Sequence, residues 1–288
     1  MDFEMIDSHC HLDDSRFGDA AARKQVLDQA AQAGVTEIIV PGVNPKDWRN
    51  LLTFVQNGHE SVRLHACLGI HPQALPDLSD EEIADALTQL ETASSPQMVG
   101  IGECGLDGPT GKKNGGTMER QLEVLAQHLN IAERLEVPVV LHCLRAHDPL
   151  LRCLRRQGLI KGGYILHSFS GSPQQVEAYR ELGAWFGIAG PVTYRNARRP
   201  LNTAKAIPLE RLLVETDAPD QTPEPHRGSL NQPSFLPQIV NILAHLRAVS
   251  SEEIARQTTL NARRCFQLDP KNRRKTALRE KGPSDDKT

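Results

Sequence analysis

Six side chains able to hold a metal ion are scattered over more than 200 residues of this 288-residue chain: His9, His11, Glu103, His142, His167 and Asp217. His9 and His11 stand two apart, and on a strand such residues face the same way, so both imidazoles reach one ion. Four imidazoles and two carboxylates are too many donors for one tetrahedral catalytic ion that must keep a position for water. The set therefore predicts two divalent ions about 3.5–4 Å apart, which share a water, lower its pKa and clamp the attacking and leaving oxygens of a phosphoryl or acyl centre. Burying so many polar groups without ions is expensive. Histidine-rich ligation favours zinc or manganese over magnesium.

Residues so far apart meet only if the fold gathers them, and each sits at the end of a short apolar run. Runs at 5–9, 36–40, 62–69, 98–103, 138–142, 163–167, 184–189 and 212–217 are bounded by Gly, Pro or polar residues. Four to eight apolar residues between turn signals fit strands buried on both faces. Glu103 is read as ending the fourth strand, His142 the fifth, His167 the sixth and Asp217 the eighth.

Helical periods lie between the runs. Trp48, Leu51, Leu52 and Val55 make an apolar stripe behind Asn44-Pro45, with Gly58 as a stop. Ser79 and Glu82 form a capping box ahead of Ile83, Ala86, Leu87 and Leu90. Ser172-Pro173 opens another helix, closed by Gly183. Strand and helix alternate about eight times, which predicts an α/β fold of the (β/α)8 TIM-barrel type, whose active sites lie at the C-terminal strand ends.

The hydrophobic share of 39% is enough for one large core, so residues 1–268 are expected to form a single barrel domain. Residues 269–288, with Lys271, Arg273, Arg274 and Lys275, lack apolar periodicity and are expected to be a disordered basic tail. A signal-like start and an 18-residue apolar stretch are both missing, so the expected compartment is the cytoplasm, with no membrane partner. Cys10, Cys67, Cys104, Cys143, Cys153 and Cys265 show no paired spacing and read as reduced thiols. Cys10, Cys104 and Cys143 adjoin proposed ligands and should point outward into the helix layer. A net charge of −3 argues against tight nonspecific duplex binding but not against a small basic groove.

Two motifs are discarded. Gly100 to Gly105 matches the spacing of a dinucleotide loop, but Glu103 within it would repel pyrophosphate, so no organic cofactor is expected. Gly105 to Lys113 has the wrong spacing for a phosphate loop and reads as a flap beside the site.

The motifs Ile6-Asp7-Ser8-His9-Cys10-His11-Leu12-Asp13, Leu68-Gly69-Ile70-His71-Pro72, Gly102-Glu103-Cys104-Gly105-Leu106-Asp107, Leu141-His142, His167-Ser168-Phe169-Ser170-Gly171-Ser172 and Leu213-Val214-Glu215-Thr216-Asp217-Ala218-Pro219 occur in this order. Together the chain resembles the TatD-type metal-dependent deoxyribonucleases, most of all their YjjV-like branch, from Ile6 to about Phe266. The resemblance implies that His9, His11 and Asp217 hold one divalent ion, His142 and His167 the other, and that Glu103 bridges them; magnesium, manganese and zinc all remain open. It makes Glu103 and Asp217 catalytic, with Asp217 orienting or deprotonating the attacking water. It also implies hydrolysis of phosphodiesters, with 3′ to 5′ trimming of single-stranded DNA or RNA.

For substrate contacts, His71 matches a His-Pro element that could donate to a phosphate oxygen or serve a capping role. Arg195 and Arg227, in loops after the seventh and eighth strands, could clamp phosphate. The family's arginine two residues past the fifth-strand histidine is Leu144 here, so Arg145 is the shifted candidate. Asn231 resembles a family Asn-x-Pro element or caps the next helix. Gly108-Pro109 stands where relatives carry aromatic residues, which puts a base-stacking platform there in doubt. Two other readings stay open: an ester or amide hydrolase such as an aminoacyl-tRNA deacylase, and a noncatalytic nucleic-acid-binding scaffold. Nothing in the surface pattern signals an oligomer, and a monomer is the default.

Overall fold

A computed structural model describes residues 3–93 and 95–268; the expected tail lies outside them. The strands are β1 (Met5–Asp7), β2 (Val35–Pro41), β3 (Arg63–Leu68), β4 (Met98–Asp107), β5 (Val139–Leu144), β6 (Tyr164–Leu166), β7 (Trp185–Ile188) and β8 (Leu212–Val214). All neighbours pair in parallel, in sequence order. The ring closes through single bonds rather than a ladder: Ser8 N donates to Val214 O at 3.1 Å, Asp217 N to His9 O at 2.9 Å and His11 N to Ala218 O at 2.8 Å. The predicted (β/α)8 barrel is therefore the observed fold.

Helices α1 (Ala20–Gln32), α2 (Trp48–Asn57), α3 (Asp80–Thr92), α4 (Met118–Leu135), α5 (His147–Gln157), α6 (Pro173–Arg180), α7 (Arg198–Ala206), α8 (Leu236–Arg247) and α9 (Ser251–Cys265) pack around it. The expected local signals operate. Both capping-box bonds form at Ser79 and Glu82, worth about 1 kcal/mol for such a cap. Trp48, Leu51 and Val55 are buried against the sheet. Helix α6 ends at Arg180, before Gly183, whose φ of 75° turns the chain toward β7.

One residue from each strand, Ile6, Ile39, Cys67, Val99, Val140, Ile165, Trp185 and Leu213, fills the barrel interior, and Phe266 and Leu268 cover it just beyond α9. That cover is at the N-terminal strand ends. Asn261 Nδ2 donates to Leu212 O at 2.8 Å, and Arg263 Nε to the buried Glu37 at 3.4 Å. The opposite end stays free for chemistry. Among the described residues no helix is long and apolar enough to cross a membrane.

The placements of Glu103 and His142 correct two expectations. His142 lies inside β5, which runs on to Leu144. Glu103 does not end β4; the strand continues to Asp107, with an irregular register against β5 between Ile101 and Cys104. The continuation is possible because Gly102 and Gly105 take φ values of 134° and 142°. A Cβ at Gly105 would stand 2.1 Å from the His142 carbonyl oxygen. Such conformations and such a close approach suit only glycine.

Candidate metal centre

Strand geometry brings all six predicted donors to the C-terminal mouth of the barrel. Glu103 is their hub. Its Oε2 lies 3.2 Å from His9 Nε2 and 3.5 Å from His11 Nε2. Its Oε1 lies 2.9 Å from His142 Nδ1 and 2.7 Å from His167 Nε2. Asp217 Oδ1 is 3.7 Å from His9 Nε2 and 3.6 Å from His11 Nε2. His9, His11 and Asp217 form one compact donor triad; His9, Glu103 and His167 form a second.

Imidazole nitrogens face each other across the cluster: His9 and His11 Nε2 are 3.2 Å apart, and His142 Nδ1 and His167 Nε2 3.4 Å. Ring nitrogens held this close around a carboxylate suit a cation that displaces their protons. Burial alone would raise the Glu103 carboxyl, but the imidazoles of His167, His71 and His9 outweigh it and hold the group well below the ordinary range. Asp217 behaves alike: burial raises it, the His11 hydrogen bond and the nearby imidazoles win, and it stays ionised.

His71 also belongs to the cluster. Its Nδ1 accepts from Gln73 N at 3.1 Å, so the neutral ring carries its proton on Nε2, which faces Glu103 Oε1 at 3.2 Å. Both ring nitrogens are thereby engaged within the protein. Arg145 is exposed in the turn after β5, with φ of 52°. Arg195 and Arg227 line a groove farther out, beside Tyr194.

Sequence reasoning missed the residues that hold the donors in place. Asp107 Oδ2 meets His142 Nε2 at 3.2 Å, and Asp107 is itself fixed by Thr110 N and Gln73 Nε2. Carboxylates on both ring nitrogens overcome the effect of burial and push the His142 imidazole up to about 9. The signal was present: Glu103 and Asp107 are four apart, on one face of a longer strand. Asp7 accepts from Thr216 and His9 backbone nitrogens, and Glu215 from Ser8 Oγ and Ser168 N, tying the β1, β6 and β8 ends together. Gln221 Nε2 grips Asp217 Oδ2, and Asn231 Nδ2 donates to Thr216 O and Asp220 O at 2.8 and 2.6 Å. Asn231 is thus a brace for the loop carrying Asp217; it caps no helix, since α8 begins at Leu236 after a turn at 233–235.

Cys10 and Cys104 are buried in the layer between sheet and helices, as expected. Cys143 is half-buried, its Sγ 3.3 Å from His147 Nδ1 on α5.

Residues 6–267 match the sequence model of the family described as TatD related DNase. The chain is 38% identical over 259 residues to the uncharacterized metal-dependent hydrolase YjjV of Escherichia coli K12, covering 89% of this chain and 95% of that protein. It is 34% identical to a protein named 3′-5′ ssDNA/RNA exonuclease TatD from Erwinia tasmaniensis, over 92% of this chain and all of the relative. The crystal structure of Escherichia coli YjjV superposes with a TM-score of 0.83 at 34% identity, covering 92% of this chain and 98% of the other. An eight-stranded barrel with histidines and carboxylates at its mouth, matched along nearly its whole length by these sequences, belongs to the TatD family of metal-dependent hydrolases.

Proposed function

We propose that the chain hydrolyses phosphodiester bonds of single-stranded DNA or RNA, trimming from the 3′ end, with water as nucleophile and two divalent cations as cofactors. The observation that carries this reading is the division of Glu103, whose two oxygens face different histidine pairs. A carboxylate so placed would serve two cations: His9, His11 and Asp217 would hold one, and His142 with His167 the other. The donors fit such ions, because imidazole nitrogens and ionised carboxylate oxygens converge there within about 4 Å of one another, the nitrogen and oxygen set that divalent transition ions take. Cations bound there lower the pKa of water and neutralise charge on phosphoryl oxygens.

The protein's own groups do the remaining work. Asp217, ionised and gripped by Gln221, accepts the proton of the attacking water on its carboxylate. Asp107 and Glu103 fix the His142 ring from both sides. A cavity of about 310 Å³ adjoins His142, His167 and Asp217 and has Leu144, Phe169 and Val192 among its walls. Its size and partly apolar lining suit the sugar and base next to the scissile bond. The exonuclease name carried by the Erwinia relative supports a nucleic-acid substrate. Six free thiols support a reducing compartment such as the cytoplasm.

The test is a direct comparison of a 5′-labelled single-stranded oligonucleotide, an aminoacyl-tRNA and a simple carboxylic ester, each with magnesium, manganese or zinc. The expected result is a ladder of shortened, still-labelled products from the oligonucleotide. Glu103→Gln should reduce that turnover about a thousandfold or more, since Lewis-acid stabilisation is worth several kcal/mol. Cleavage of the aminoacyl ester with the oligonucleotide left intact would overturn the reading.

A further inference from the structure

The groove does not end at the cluster. The 310 Å³ cavity meets a second one, of about 380 Å³, along Pro191 and Pro200, which line both. Tyr194, Arg195 and Arg227 stand in the second. The Arg227 guanidinium carbon lies 4.3 Å from the centre of the Tyr194 ring, so the two planar groups form a ready stack. Both arginines are exposed, and Tyr194 is half-buried.

The charges on this wall are mixed. Glu224 also lines it and stands 4.0 Å from Arg227 Nη1. A carboxylate at that distance offsets the guanidinium charge and disfavours a phosphate on the same spot. The face of a nucleobase carries no such charge, and it stacks on a guanidinium or a phenol alike. Arg195, on the same rim, supplies the positive charge that a neighbouring backbone phosphate needs.

We infer that this second cavity is a base-stacking subsite for single-stranded nucleic acid, with Tyr194 and Arg227 as its platform and Arg195 on the phosphate. It takes its substrate class from the function proposed above. The nucleotide at the cluster occupies the first cavity, and its neighbour along the strand reaches the second through their shared wall. A base enters such a pocket only when splayed out of a duplex, so the subsite selects single strands. The platform joins the loops after β7 and β8, segments separate in sequence from the Gly108-Pro109 turn where the chain lacks aromatic residues.

The experiment is a fluorescence-anisotropy titration of phosphorothioate-linked, fluorescein-labelled dT10 with manganese present, repeated across salt concentrations. Tyr194→Ala should weaken binding about 5- to 100-fold, with the salt slope kept, because stacking releases no counterions. Tyr194→Phe should restore affinity to within about twofold, since the ring face is retained. Arg195→Ala should reduce the salt slope by about 0.7, the loss of one phosphate contact on a single strand. Equal affinity of Tyr194→Ala and the unaltered protein overturns the inference, as does an equally weakened Tyr194→Phe. Hydrolysis of unmodified oligonucleotide by the unaltered protein is scored separately: binding that depends on Tyr194 without any hydrolysis removes the nuclease reading and leaves the subsite standing.

Discussion

Asp107 and Glu103 hold the His142 ring between them, Asp107 Oδ2 at 3.2 Å from Nε2 and Glu103 Oε1 at 2.9 Å from Nδ1. The nitrogen that faces the cluster is therefore Nδ1, and the proton on Nε2 is fixed by Asp107. Asp107→Asn keeps the shape but turns an amide donor toward that proton. Divalent-ion affinity by calorimetry should fall about 10- to 100-fold while the circular dichroism spectrum is retained. Unchanged affinity would show that Asp107 only stiffens the turn at Thr110.

Ion binding should also register as stability. Each ion present at a hundred times its dissociation constant adds about 2.7 kcal/mol to the folded state. Chelation should lower the thermal midpoint by several degrees, at about 2–4 °C per kcal/mol for a chain of this size. A midpoint indifferent to EDTA, in protein first loaded with manganese or zinc, argues against resident cations.

Gly105→Ala tests the close approach of β4 to β5. The new methyl would meet the His142 carbonyl oxygen at 2.1 Å and the His142 nitrogen at 2.8 Å, and both are backbone atoms. The strands must separate, at a cost of about 1–3 kcal/mol or more. Urea denaturation should show this loss, accompanied by weaker ion binding, because the residue displaced is a donor.

Acid sensitivity should arise away from the mouth as well. His128 on α4 is fully buried; its Nδ1 donates to Val124 O and its Nε2 accepts from Ile70 N at 3.1 Å. Burial, only partly opposed by the Val124 bond, depresses the imidazole from 6.5 to about 4. Between those values the unfolded chain takes up a proton that the folded chain refuses. The stability that His128 contributes is complete above pH 6.5 and is lost as pH falls toward 4, at about 1.4 kcal/mol per unit. The urea-derived stability gap between the unaltered protein and His128→Gln should narrow by about 2 kcal/mol from pH 6.5 to 5. A gap that does not vary with pH would refute this account.

Asn231→Ala removes both donors that hold the β8 loop at Thr216 and Asp220. The Thr216 carbonyl is left buried without its donor, at a cost of about 1–3 kcal/mol. Because that loop carries Asp217, turnover should fall further than KM rises. Equal effects on both would assign Asn231 to substrate binding instead.

The fold was legible because its signals are local. Apolar runs between turn residues mark each strand, and Ser79 with Glu82 or Ser172 with Pro173 mark helix starts within a few residues. The six donors were legible because each adjoins such a run. Their supports were not. Asp107 is hidden because the apolar run at 98–103 reads as ending at Glu103, and what allows the strand to go on is the bare backbone of Gly102 and Gly105 against β5, a contact between segments about 40 residues apart. Asn231 reads as a cap because Asn before Gln-Pro commonly is one, whereas its partners lie 11 and 15 residues upstream. The Tyr194–Arg227 stack joins two loops, and no single window of sequence contains it.

Phe266 and Leu268 seal the floor of the barrel beneath Ile6 and Ile39. The amino-terminal strand and the end of the described chain both meet that floor, on the face away from Glu103. A surface tether grafted after Leu268 would therefore seat the barrel with its mouth pointing outward, leaving long polymers room to thread in from above. Replacing Phe266 and Leu268 together with alanine should unplug the base and let water rise into the packed interior from below.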